Sequence, residues 1–387
     1  MNAENLPRQL RIAIATLGRF HVLDLARELS ALGHEVRFYS YVPKRRAVRF
    51  GLPSRCHVSL LVLLWPLVAL SRLLRRGPLS TPIERLLQRA ANAAVRFRLQ
   101  PCDVFICMSG IYVEAAEYAK RRYGANVVLE RGSMHIAAQR DILARVQELH
   151  SGAMTVSDWT VDRELRGYRL ADVIVIPSAH AEASFLERGF ASTQLARIPY
   201  GVELDVFSPD ASVTRDPNMV LFVGSWSYQK GVDVLGAAMA SLSSSGARLQ
   251  HVGSVGDAPM PTEPWFSTAG HVDQLKLREW YRRAAVLVLP SRQEGLSLVL
   301  FQALACGCQI VGSRLSGATD LAALEGLANM VSVVDCEDPE QLRAAVKQRL
   351  QSPVHEGLGS GVRQQLSWVS YGRRYANMLA ALDRSQA

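Results

Sequence analysis

Short apolar runs recur along this chain, each followed by a segment with helical spacing. That alternation constrains the fold more than any other feature. Arg11 to Leu17 (RIAIATL) is nearly continuous in apolar residues, the pattern of a strand buried on both faces. From His21 to Leu32 the apolar residues Val22, Leu25, Ala26, Leu29 and Leu32 fall on one helical face, and Gly33 stops the helix they predict. Glu35 to Ser40, Val104 to Met108, Val127 to Glu130 and Val173 to Pro177 are further predicted strands, with a helical pattern at Val113 to Tyr123. Alternation of this kind predicts an α/β fold with a parallel, doubly wound sheet.

The pattern breaks at Arg197 to Pro209 (RIPYGVELDVFSP), which reads as a linker over 198–209, and then restarts. Met219 to Val223, Arg248 to Val252, Ala285 to Pro290, Gln309 to Gly312 and Met330 to Val334 are predicted strands. Val232 to Leu242 and Tyr371 to Leu382 are predicted helices. The expected layout is a domain over 1–197, the linker, and a second domain over 210–369. A length of 387 residues suits two domains at about 150 residues each. With 49% apolar and 20% charged residues, the chain is neither disordered nor fibrous, and each half can bury its own core. Ligands of such sheets bind at the carboxyl ends of the strands, here in the cleft between the halves.

The six cysteines (Cys56, Cys102, Cys107, Cys306, Cys308 and Cys336) include no Cys-x2-Cys pair. They predict buried free thiols in a reducing compartment, and no zinc site. Ile12 to Leu17 is too short for a secretory signal core, so a cytoplasmic location is expected.

The positive charge is concentrated. Lys44 to Arg98 holds twelve basic residues (Lys44, Arg45, Arg46, Arg49, Arg55, Arg72, Arg75, Arg76, Arg85, Arg89, Arg96 and Arg98) against the single acid Glu84. That stretch carries +11 of a net +9, so the rest sums to −2. Inside it lies the apolar run Val58 to Leu70, with Trp65 and Pro66 at its middle. Its thirteen residues fall short of the roughly 20 a spanning helix needs. A buried helix is one reading. The basic flanks favour another, an interfacial helix at an anionic membrane surface, where each cation contributes about 1 kcal/mol. No aromatic-interleaved basic motif points to nucleic acid.

Val286 to Val311 (VLVLPSRQEGLSLVLFQALACGCQIV) is the most informative stretch. A buried strand ends at Pro290-Ser291, a loop carries Glu294 and Gly295, and a helix begins near Leu296. Glu294 thus stands beside a helix N-terminus, whose free amides can hold a phosphate or sugar hydroxyl. Its carboxylate can accept two hydrogen bonds from a sugar diol, and Gly295 permits close backbone approach.

Pro290, Ser291, Glu294, Gly295, Leu296, Ser297 and then Gln302 resemble the signature of glycosyltransferase family 4, the retaining GT-B enzymes of the glycosyl transferases group 1. The resemblance implies that Glu294 contacts the donor hexose and that Gly295, Leu296 and Ser297 line the sugar and diphosphate. The family's second acid, which holds the nucleotide ribose, is Gln302 here; the lost charge-assisted bond is worth on the order of 1–2 kcal/mol. Leu221 to Leu235 (LFVGSWSYQKGVDVL) resembles the family's strand, glycine turn and Lys-Gly element. This implies that Gly224 and Ser225 line the donor and that Lys230 neutralises its diphosphate, with Ser225 where the family often has an arginine. Ile198 to Pro209, Ser316-Gly317 with Asp320, and Ser367 to Met378 are weaker matches, the last resembling a terminal segment (here 370–387) that crosses back to the first domain.

The amino-terminal half then supplies the acceptor site. Glu130, Arg131 and His135, after one strand, and Gly18, Arg19 and His21, after another, are its candidates, Arg131 and His135 in catalytic roles. The resemblance implies no metal and no cofactor, a nucleotide-sugar as substrate, and front-side attack with retention. The expected function is transfer of a sugar to a glycan or lipid-linked acceptor, in bacterial polysaccharide or lipopolysaccharide synthesis, by a protein peripheral to the inner face of the cytoplasmic membrane. The alternative is a non-catalytic GT-B subunit that binds a glycan or a partner protein, which Gln302 and Ser225 motivate. A sugar-nucleotide epimerase fits less well, and Gly253-Ser254-Val255-Gly256 is too short for a dinucleotide fingerprint.

Overall fold

The computed structural model describes residues 8–74, 80–352 and 357–384. Arg75 and Arg76 of the basic stretch, and the ends of the chain, lie outside them.

The amino-terminal lobe runs β1 (Arg11–Ala15), α1 (Val22–Ala31), β2 (Glu35–Ser40), α2 (Lys44–Arg49), β3 (His57–Ser59), α3 (Leu61–Leu73), α4 (Ser80–Arg98), β4 (Val104–Met108), α5 (Val113–Tyr123), β5 (Asn126–Glu130), α6 (Ile136–Leu149), α7 (Asp158–Leu170), β6 (Val173–Ile176), α8 (Ala179–Leu186) and β7 (Leu195–Arg197). Its strands form one parallel sheet in the order β3-β2-β1-β4-β5-β6-β7. The carboxyl-terminal lobe runs β8 (Asp216–Val223), α9 (Val232–Leu242), β9 (Arg248–Val252), β10 (Phe266–Thr268), α10 (Gln274–Arg283), β11 (Ala284–Leu289), α11 (Leu298–Ala305), β12 (Gln309–Ser313), α12 (Ala318–Ala322), β13 (Val331–Val334), α13 (Pro339–Gln351), α14 (Ser360–Gln365) and α15 (Trp368–Arg384). Its parallel sheet is ordered β10-β9-β8-β11-β12-β13.

The central strands are buried along their length because helices cover both faces, which is why they read as unbroken apolar runs. Three of the four edge strands, β3, β7 and β10, have three residues each, too few to leave a sequence signal. The first predicted strand ends two residues early, at Ala15. There the Thr16 hydroxyl turns to donate to the Gly18 carbonyl at 3.3 Å. The run Val58 to Leu70 is split: Val58 pairs with Tyr39 in the sheet, and α3 begins only at Leu61. Only Leu64 and Val68 of α3 are buried, one turn apart on the face that meets the lobe. Val62, Trp65 and Leu73 are 86%, 55% and 80% exposed, so a wholly buried helix is not what the run makes. All six cysteines are free thiols and five are buried.

The last helix, α15, packs on α1 of the opposite lobe through Gly372, where an added methyl would overlap the Cβ of Glu28. Glycine inside a helix ordinarily costs about 1 kcal/mol relative to alanine. Here two backbone-anchored carbons would collide, so the sign should reverse. Gly372→Ala is expected to lower stability by about 1–3 kcal/mol, measured by denaturant unfolding. A stabilised variant would show that α15 does not bear on α1.

Candidate active site

The strand pairing decides which turns meet. β8 and β11 are hydrogen-bonded neighbours, so the turns at their carboxyl ends lie side by side. The turn after β8 carries Lys230, and the loop after β11 carries Glu294. The Lys230 ammonium hydrogen-bonds Glu294 Oε1, and Ser291 Oγ donates to the same oxygen at 3.2 Å. Both side chains are largely enclosed, at 21% and 14% exposure, but neither is sealed from the cleft.

Arg292 holds this pair of turns together. It is 3% exposed, forks onto Asp233 at 2.6 and 2.8 Å and onto Glu337 at 2.6 and 2.8 Å, and donates to the Tyr228 carbonyl at 2.7 Å. Burial alone would lower its pKa, but the hydrogen bonds to Asp233 and Glu337 hold it well above the ordinary arginine value. Its own amide donates to the Gln229 carbonyl at 2.9 Å, and Gln229 reaches back to the Gln293 side chain at 2.7 Å. Gly231 has φ 68° and lies against the Pro290 carbonyl, which a side chain there would strike. Among the described residues, then, Arg292, Gln229, Asp233 and Glu337 build the site, and the sequence reading missed them. Arg292 stood inside the motif it used; its partners come from two other segments.

The remaining donor candidates cluster around this pair. Gly224 has φ 150°, and His251 Nε2 lies 3.0 Å from its carbonyl oxygen. Gly253 and Gly256 give the Gly224-Ser225-Trp226 turn room, so that glycine pattern has a packing reason. Leu296 is buried against Gly317. Ser297 precedes α11 without its hydroxyl capping the helix, so among the described residues no N-cap side chain occupies its N-terminal amides. The helix begins at Leu298, two residues later than expected. Gln302 is buried, and its Oε1 accepts from the Tyr281 hydroxyl at 3.1 Å. One of the two lone pairs of this oxygen is thereby engaged, and the side chain carries no charge.

The amino-terminal lobe closes directly on the Glu294 loop. Ser178 Oγ donates to the Gly295 carbonyl at 2.6 Å, and Gln293 donates to Ser133 Oγ at 2.6 Å. Gly295 touches the Gly132 carbonyl so closely that only glycine fits. His180 Nε2 lies 3.1 Å from the Glu294 carbonyl oxygen. Neither Ser178 nor His180 was a candidate from sequence, since each takes its meaning from a contact across the cleft.

The four acceptor-side candidates fall into place unevenly. His21 and Glu130 come together, Nε2 to Oε2 at 2.8 Å, with the Tyr200 ring over the imidazole at 4.4 Å. Arg19 crosses the cleft to Gln274 Oε1 at 2.6 Å. Arg19, His21, Gln274 and Gln302 line one cavity of about 200 Å³ between the lobes. Gly18 stays in the turn behind them, accepting from Thr16.

Arg131 and His135, expected in catalytic roles, have their side chains engaged within the amino-terminal lobe. Arg131 spends its guanidinium within its own lobe, on the Met134 carbonyl at 2.9 Å, Glu164 at 3.1 Å and Gln139 at 2.7 Å. His135 is the N-cap of α6, with Nδ1 accepting from the Ala137 amide at 3.2 Å, and its ring sits among Tyr168, Phe185 and Phe190. Both residues brace the loop that reaches the cleft through Ser133.

Residues 217–352 match the family model described as Glycosyl transferases group 1. That match lies within the carboxyl-terminal lobe. The D-inositol 3-phosphate glycosyltransferase of Segniliparus rotundus is 30% identical over 205 residues, 46% of this chain and 44% of its own length, so the chain spans under half of this relative. Sucrose-phosphate synthase from Thermosynechococcus elongatus superposes with a TM-score of 0.68 at 18% identity, covering 98% of this chain and 100% of that one. Anabaena HepE in complex with UDP-glucose gives 0.66 at 12% identity, covering 96% and 100%. The fold is GT-B.

Burial, followed by the charges of Arg188 and Arg131, pulls the His135 pKa down from 6.5 to about 4. The folded protein keeps this imidazole neutral while the unfolded chain protonates it, so stability should fall as pH drops from 6.5 toward 4, by at most about 3 kcal/mol. His135→Asn, which retains a capping side chain, should flatten that slope in denaturation at pH 4.5 and 7. Turnover per folded molecule should stay within about threefold; a loss of 10²–10³ would restore the catalytic role.

Proposed function

We propose that this chain is a retaining glycosyltransferase that moves a sugar from a nucleotide-sugar to a glycan or lipid-linked acceptor. The observation that carries this reading is the pairing of Lys230 with Glu294 beside the uncapped start of α11. In the free protein the two charges satisfy each other. A donor would exchange that pair for two better-matched ones, with Lys230 and the α11 amides on the diphosphate and Glu294 on the sugar hydroxyls. The bond from the anomeric carbon to the diphosphate oxygen breaks while the acceptor oxygen bonds on the same face. The acceptor's proton passes to the departing diphosphate. Lys230 and the helix amides are fixed before reaction, so they stabilise the developing charge without reorganising. The UDP-glucose named for HepE supports a nucleoside-diphosphate donor. We read the diphosphate charge as met by these groups, without metal or cofactor.

Initial rates with UDP-, GDP- and ADP-sugars test this. Glu294→Ala and Lys230→Ala should each lower turnover by about 10²–10³ while thermal unfolding stays cooperative. Wild-type rates in Glu294→Ala would remove that residue from the mechanism. The uncharged Gln302, already bonded to the Tyr281 hydroxyl, favours a second reading, a subunit that binds without transfer; donor binding with no turnover across acceptors would select it.

The acceptor side we place at an anionic membrane. The apolar face of α3 is open, and Arg72 stands at its end, with further basic residues on α4. Among the described residues no helix is long and apolar enough to cross a bilayer. An exposed apolar stripe flanked by cations suits the interface instead, at the inner face of the cytoplasmic membrane and in cell-surface polysaccharide or lipopolysaccharide assembly. The protein should float with vesicles containing phosphatidylglycerol, less so in high salt. Replacing Val62, Trp65 and Leu73 together by serine should abolish flotation. Undiminished flotation would show that α3 does not dock.

A further inference from the structure

A second interlobe cavity, of about 710 Å³, lies between α2 and the start of α10. Its amino-terminal wall is Arg45, Arg46, Arg49 and Arg19; its opposite wall includes His271 and Asp273. Asp273 is the one acid on the lining, and its carboxylate caps α10 by accepting from the Leu275 amide at 3.1 Å. Among the described residues Arg45, Arg46 and Arg49 form no ion pair, and all three are exposed. The Arg19 guanidinium stacks on Phe50 at 3.5 Å and bonds Gln274 at 2.6 Å. Burial lowers its pKa, Asp24 and Glu203 oppose that, and the charges of Arg46 and Arg27 add to it, so the acids near Arg19 lie on the side away from α2.

Such a wall is unfavourable empty and becomes favourable with a dianion. The donor's diphosphate has its own partners in Lys230 and α11, so these arginines answer to a second anionic group. The cavity shares Arg19 and Gln274 with the smaller one that Gln302 lines, which joins it to the cleft. α2 belongs to the lobe read above as the acceptor half. We propose that the cavity between α2 and α10 binds a phosphate ester of the acceptor, a deepening that rests on the glycosyltransferase reading. The forked geometry of arginine suits a phosphate's oxygens, and three side chains on one helix present several such forks. The phosphate could belong to a soluble sugar phosphate or to a lipid-linked sugar diphosphate.

Calorimetry on the full chain tests the site without turnover. Glucose 6-phosphate should bind at least about tenfold more tightly than glucose, and weaken as salt rises. The variant carrying Arg45→Gln, Arg46→Gln and Arg49→Gln should lose that preference while UDP affinity changes by less than about twofold. These side chains are exposed, so the variant should fold, which its melting curve checks. In a parallel arm, phosphatidylcholine vesicles doped with a polyprenyl diphosphate are compared with vesicles carrying the same charge as phosphatidylglycerol. A preference for glucose 6-phosphate identifies a soluble acceptor, and one for the polyprenyl vesicles a lipid-linked acceptor; either supports the site if the triple variant loses it. No preference in either arm, or a preference that survives in the variant, overturns the proposal. Failure of UDP to bind would instead count against the transferase reading itself.

Discussion

A single buried guanidinium sets the geometry on which the candidate chemistry depends. Arg292 lies at the end of β11 and reaches Asp233 on α9, Glu337 before α13, and the backbone of the turn that carries Lys230. Without it, two separate strand-end turns would have to hold an ammonium and a carboxylate in register unaided. An ion pair this enclosed is poor evidence of net stability, because desolvation offsets much of its Coulombic gain. Losing one partner is another matter, since an uncompensated buried charge costs about 3–5 kcal/mol. The network therefore specifies an arrangement more than it adds to folding energy. Gly231 and Pro290 fix the same arrangement by excluded volume.

The two lobes meet at the donor loop itself. Gly295 against Gly132, Ser178 on the Gly295 carbonyl and Gln293 on Ser133 put amino-terminal residues within reach of whatever Glu294 holds. Farther along the cleft, Arg19 to Gln274 makes a second bridge, and Arg27 reaches Glu203 of the linker at 3.4 Å. His150 adds a third contact across the lobes, stacking on Tyr228 at 3.9 Å and pairing with Asp233 at 3.2 Å.

Behind the cleft, the carboxyl-terminal helix ties the lobes together. α15 leaves the second lobe and lays Tyr371 and Tyr375 into the core of the first, near the buried carboxylate of Glu130. Burial, with the Glu130 charge among the further causes, pushes both phenols well above their ordinary value, so they stay neutral. Glu130 in turn orients His21 toward the cleft. That wall of the cleft is thus braced by residues distant in sequence.

The alternation of strands and helices, the break near residue 198, and the Pro290 to Gln302 motif were legible because each is a local pattern: buried parallel strands must be apolar throughout, and a strand-end loop must carry its own chemistry. Lys230 and Glu294 lie in strand-end segments of that kind. The surroundings of His135 were not legible, because a histidine after a strand looks the same whether it faces a ligand or fills an aromatic cage; only Tyr168, Phe185 and Phe190 decide. The exposed face of α3 also lay beyond the sequence, since its uniform apolarity hid which side packs. Composition and periodicity determined that there would be two sheets and where their loops would fall. Tertiary structure alone decided which loops face one another, because the partners of Arg292, the closure of Ser178 on Gly295 and the convergence of Arg19 with Arg45, Arg46 and Arg49 join segments whose spacing along the chain carries no trace of their contact.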